Sequence, residues 1–344
     1  MATDVAASIE TSTNAVSAQT VSQVMVITPM MSDQVVSLHA GDDMVHVTAP
    51  GTVVQTGGSH TILSDHGGVT VDATGGNSVI YGGEHGDLIN EGPDCVFVGA
   101  QNGGVSTVNA NPGGSDTIFA VTGMLYHGEH GDHSLFVGGS APVTVSCAAD
   151  QTLWAGTGGG IYTVGTGHLF FAGAGGADTI VGSAPNCELW THDHEHLTLM
   201  TASTSGPGAQ IVASGDDDHI DMRNASGHDS IILWNAEPRP GVGFTGNTTL
   251  TASNAGGDVF ALFSGAQFGL PSNGPHTITI DNWQPSDILD LSFARDSAGN
   301  FVAGYTSADV QSAQMQLAAG NSFTLPDGVT VIFQGAKPTT IAHA

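Results

Sequence analysis

Short apolar runs recur along this chain about every nine residues, each after a turn containing Gly or Asp. From Ser134 the runs begin at Ser134, Val143, Thr152, Ile161, Leu169, Asp178, Cys187 and His196. An earlier series begins at Met44, Val53, Thr61, Val69, Ser78, Asp87 and Cys95. The spacing loosens near 104–134 and again after 200. The near-copies "YGGEHGD" from Tyr81 and "YHGEHGD" from Tyr126 lie five such steps apart. Nine residues are too few for a helical hairpin, but they suit a strand of four or five residues plus a tight turn. Within each run, residues alternate around β-branched or aromatic positions, as strands with one buried face do. Two units then make one coil of about 18 residues, each coil covering the apolar face of the next. A β-sandwich also uses short strands, but its loops are less uniform.

The spacing therefore predicts an all-β fold: a parallel β-solenoid or β-roll over residues 35–235 with half-turns of about nine residues. Residues 1–34 read as an N-terminal extension. Residues 236–344 read as a β-rich C-terminal cap with one short helix. There "HTITIDNWQPSDILDLSF" gives strand, turn, strand, and "TSADVQSAQMQLAAG" gives a helix capped by Thr306 or Ser307 and stopped at Gly320. "FTLPDGVTVIF" gives a hairpin turning at Pro326, Asp327 and Gly328. A hydrophobic share of 40% argues against disorder despite 49 glycines.

The formal net charge is −28, with only four Lys and Arg. Nucleic acid is excluded as a partner, because phosphate contacts need those residues. No segment is apolar enough for membrane insertion, and residues 1–24 lack the basic and apolar regions of a signal peptide. Cys95, Cys147 and Cys187 form neither a CxxC nor a disulfide framework and read as small buried residues. Catalysis finds no support: there is no GxSxG elbow, and a solenoid acting on acidic sugars would need cations this one lacks.

The turn motifs resemble the RTX (repeats-in-toxin) β-roll, whose units read GGxGxDx followed by an apolar residue. Gly173–Ile180, "GAGGADTI", fits at all but the second glycine. "GDDMV" from Gly41, "GSDTI" from Gly114, "GHDSI" from Gly227 and "GGDVF" from Gly256 fit the second half. The resemblance implies a parallel roll, calcium in the turns, and type I secretion through a C-terminal signal. Asp43, Asp116, Asp178, Asp229 and Asp258 sit where the family binds calcium. Hydrogen bonding of these aspartates to their own turns is the competing reading. Few aspartates recur one coil apart, so a largely calcium-free scaffold, or one that keeps a few isolated calcium sites, is expected.

"THDHEHLTL" would place His192, His194 and His196 on one strand face, where alternate imidazoles can chelate a transition metal. In a chain so short of lysine, histidine as an ordinary outer polar residue is the preferred reading. Protonating all 16 histidines near pH ~5 would remove more than half of the net charge. His85 and His130, each beside a glutamate, are with His192–His196 the expected pH-responsive sites for self-assembly. Together these features point to a secreted structural protein of a bacterial cell surface or extracellular matrix, a self-assembling homo-oligomer. The alternatives are an adhesin or glycan-binding module and a His-rich metal-binding protein.

Overall fold

The computed structural model describes residues 15–18, 24–28, 35–38 and 41–342, except 103, 112, 129–132, 149, 166, 183–186, 202–206, 214–216, 236–246, 265–275, 292, 296–300 and 304. The chain divides into an N-terminal unit, 1–168, and a C-terminal unit, 169–344. Each is a parallel β-solenoid.

In the N-terminal unit, successive strands go alternately to two sheets. The first sheet runs from Ala15–Ala18 through Val35–Leu38, Val53–Thr56 and onward to Gly160–Val164. The second runs from Val24–Ile27 through Met44–Val47 and Thr61–Ser64 to Gln151–Trp154. The nine-residue steps are thus half-coils, and every described strand pair here is parallel. Parallel pairing starts before residue 35, because Ala15–Ala18 pairs with Val35–Leu38. Part of the expected N-terminal extension is therefore solenoid.

Alternation decides what faces in. Val45, Ile62, Ile80, Phe97, Ile118, Phe136 and Leu153 are one buried column of the second sheet. Val54, Val71, Ile89, Val108, Tyr126, Val145 and Tyr162 oppose them from the first. Tyr126 packs tilted on Phe136, 5.8 Å between ring centroids, and its hydroxyl donates to Ser134 Oγ at 2.9 Å. Tight stacking of turns explains much of the glycine. A Cβ on Gly104 would enter the backbone of His85 and Gly86 in the coil below.

The C-terminal unit keeps the rule with more residues between successive strands. One sheet runs Ala177–Gly182, His196–Thr201, His219–Asp221, Asn247–Thr251, Thr277–Asp281, Thr330–Gln334. The other runs Leu169–Ala172, Cys187–Trp190, Gln210–Ala213, Ser230–Asn235, Val259–Ser264, Ile288–Asp290. Coils therefore continue past the expected boundary at 235. Extra residues between strands leave the ladder unbroken, which is why the period fades after 200. Antiparallel pairing among the described residues occurs only late in this unit: Phe293–Arg295 with Phe301–Ala303, and Ser322–Thr324 with Thr330–Gln334. The helix is Ser307–Ala319, with Thr306 as N-cap in a capping box with Asp309 and Gly320 as C-cap. It buries Val310, Ala313 and Leu317.

Candidate functional site

Many strands are preceded by one residue whose carbonyl accepts a backbone N–H from the next coil, as Asp229 accepts from Val259 and Asp258 from Ile288, both at 2.8 Å. Its own N–H lies outside the regular ladder, and a buried N–H needs an acceptor. In several coils the side chain of the equivalent residue one coil on supplies it. In the N-terminal unit Asp43 N–H donates to His60 Nδ1 (3.1 Å), His60 N–H to Ser78 Oγ (3.3 Å) and Cys95 N–H to Asp116 Oδ1 (2.8 Å). In the C-terminal unit Ala209 N–H donates to Asp229 Oδ1 (2.7 Å), Asp229 N–H to Asp258 Oδ1 (3.1 Å) and Asp258 N–H to Asp287 Oδ1 (3.1 Å).

Asp43, Asp116, Asp229 and Asp258, the calcium candidates, thus line the interior edge of the turns, buried. Asp258 uses its second oxygen for Ser253 N–H at 2.9 Å, within its own turn. At Asp258 the own-turn bond is therefore present, joined by a bond between coils. Asp178 is also buried, against Glu195. Burial first, and the Asp178 carboxyl second, push Glu195 up to about 8. Burial lifts Asp229 to about 7, with Asp258 adding to the rise.

The histidines are arranged differently from the expectation. The strand begins at His196, while His192 and His194 lie in the preceding turn, His194 at a positive φ of 64°. The three do not share a strand face, because the turn rotates the chain before the alternation starts. His196 instead stacks on His219 of the next coil, 4.8 Å between ring centroids. This pair borders a shallow groove of about 270 Å³ with Thr198, Asp221, Arg223, Thr249 and Thr251. Hydrogen bonds from Arg223 hold the Asp221 carboxyl below its ordinary range. No group of three or more His, Cys, Asp or Glu among the described residues could hold a metal ion. His85 lies in an exposed turn, and His130 is outside the described residues. The three cysteines are free and buried; burial pushes the Cys95 thiol up to about 12 and Cys187 to about 11.

The outward faces of the N-terminal unit contrast. On the first sheet one row is a polar ladder. Ser37 Oγ donates to Gln55 Oε1 (3.3 Å), Asn90 Nδ2 to Asp72 Oδ1 (2.6 Å) and Asn109 Nδ2 to Asn90 Oδ1 (2.9 Å). On the second sheet the matching row reads Val26, His46, Leu63, Tyr81, Val98, Phe119, Val137, Trp154, each the register partner of the next. Its companion row reads Val24, Met44, Thr61, Val79, Val96, Thr117, Leu135, Thr152. Neither row holds a carboxylate. His46 has Nε2 2.6 Å from Asp65 Oδ2, which holds its ring in place.

Compared with protein-family models, with curated proteins and with solved structures, the chain matches none. Its function has to be read from these surfaces. The signal for the ring row was in the strands "VIY", "TIF" and "TLW", each with a ring at its outward end. Only their register puts those rings in one line.

Proposed function

We propose that the protein is a secreted structural protein of a bacterial cell surface or extracellular matrix, held in place by contact along one flat face. The observation that carries this is the outer face of the second sheet in the N-terminal unit. Its two rows are apolar or Thr apart from His46, in a chain of net charge −28. Exposed contiguous apolar surface of this kind marks an interaction site. A strongly acidic protein repels copies and anionic surfaces everywhere except where its carboxylates are missing. Export agrees with the RTX-like turn motifs.

The test is fractionation of the producing cells. The expected location is the insoluble extracellular fraction, and Val98→Glu combined with Val137→Glu should shift the protein into the soluble medium. Recovery of the parent protein from the cytosol would end this reading.

A further inference from the structure

We propose that the ring row of the N-terminal unit docks a neutral β-1,4-linked polysaccharide lying along the solenoid. This rests on reading the second-sheet face as the protein's contact surface, and names what it contacts.

From His46 to Trp154 a ring occupies every second position of the row, and Leu63, Val98 and Val137 fill the positions between. Neighbouring strands lie ~4.8 Å apart, so the rings recur at ~9.6 Å. Tyr81 is 41% exposed, Phe119 38% and Trp154 55%, whereas the aliphatic residues between them are more covered. Between Leu63 and Trp154 these three rings are the most accessible residues of the row.

Alternation is the feature that selects the partner. A second copy pressing flat against this face, or a lipid surface, would gain as much from aliphatic side chains at every position. A ring at every second strand suits a partner whose own repeat is twice the strand spacing. In a β-1,4-linked glycan, alternate sugars turn the same face to one side. The repeat is then two sugar lengths, close to the ring interval. The C–H groups on a pyranose face carry partial positive charge and meet the negative face of an aromatic ring. Each contact is modest, but a stiff extended chain engages several rings at once, and the linked contacts reinforce one another. The absence of carboxylates along both rows removes repulsion, and the absence of lysine and arginine there gives an acidic glycan nothing to pair with.

The experiment incubates the full chain with microcrystalline cellulose, with chitin and with starch granules, and measures depletion from solution. Depletion is expected on cellulose or chitin, but not on starch, whose α-linked helix lacks the repeat. Tyr81→Ala, Phe119→Ala and Trp154→Ala should each weaken binding roughly threefold to tenfold, and the triple variant should abolish it. Gln55→Ala, a truncation on the outward face of the other sheet, should bind like the parent. These side chains point outward, so circular dichroism and melting should stay at parental values and exclude misfolding. Sedimentation equilibrium and flotation with neutral phosphatidylcholine vesicles run in parallel. Depletion on neither β-linked polymer overturns the assignment, and so does a triple variant that binds as well as the parent. Ring-dependent self-association or vesicle binding without depletion also overturns it, giving the face to a second copy or to lipid. Matrix location without depletion would overturn only this docking, whereas a cytosolic location would overturn the reading beneath it.

Discussion

The two units solve one hydrogen-bonding problem with different side chains. In the N-terminal unit, the residue that accepts the stray N–H between coils varies: His60, Ser78, Asp116, and, at the first sheet, Asp87 and Ser106. The bonds span 17 to 21 residues. In the C-terminal unit three successive coils use aspartate, Asp229, Asp258 and Asp287, and the Asp229–Asp258 and Asp258–Asp287 bonds each span 29 residues. A neutral acceptor costs nothing in charge. Stacked carboxylates feel burial and one another, and Asp287, like Asp229, is raised by burial, with Asp258 contributing. The difference teaches that aspartate here is chosen for reach and for two acceptor oxygens, and that charge is a liability it brings along. Asp287 shows the gain: its second oxygen takes Gln284 N–H at 2.7 Å.

Removing an acceptor tests this most severely. Asp258→Ala leaves the N–H groups of Asp229 and Ser253 without their partner. At about 1–3 kcal/mol for each unsatisfied buried group, a loss of roughly 2–6 kcal/mol is expected in urea unfolding. Ser78→Ala in the N-terminal unit removes one neutral acceptor and should cost about 1–2 kcal/mol. Equal losses would show that the aspartate column is no more important than the mixed one.

The pH dependence sharpens the contrast. Glu195 rises from 4.5 to about 8 and Asp229 from 3.8 to about 7. In both, the folded state favours the protonated form, so the native state binds more protons than the unfolded chain between the two pKa values. Stability from these groups is complete below the unfolded value. It falls as pH rises and is gone above the folded value. The C-terminal unit should therefore melt lower at pH 8.5 than at pH 5. Glu195→Gln should melt higher than the parent at pH 8.5 and converge with it near pH 4. A Gln variant that tracks the parent throughout would remove Glu195 from the account.

The smallest effect belongs to the outer polar ladder. Asn90 bridges Asp72 and Asn109 on a half-exposed face. Asn90→Ala should cost about 0.5–1 kcal/mol, read as a small shift in melting temperature. A larger loss would mean that this face shares in holding the coils together.

Much of this fold was readable from local pattern. Alternation in Thr61–Ser64 or Val96–Val98 needs only neighbouring residues, and so does the Thr306–Asp309 capping box. The late coils were not readable, because a strand such as Asn247–Thr251 finds its partner His219–Asp221 across an insertion of a length no period predicts. The histidines of 192–196 misled for a related reason. A two-residue alternation implies a shared face only if the backbone is extended, and at His194 it turns.

By itself the sequence determined the strand length, the turn every nine residues, the inward apolar column and the acidity of the chain, all properties of residues within a few positions of one another. Tertiary structure decided which strands lie side by side. Register alone places Tyr81, Phe119 and Trp154 on every second strand of one row. Register also turns Asp229 and Asp258 toward the N–H of the coil before. The physical reason is that a parallel strand's partner lies 17 to 53 positions away, so what stands beside a side chain is set by the length of chain between the two strands.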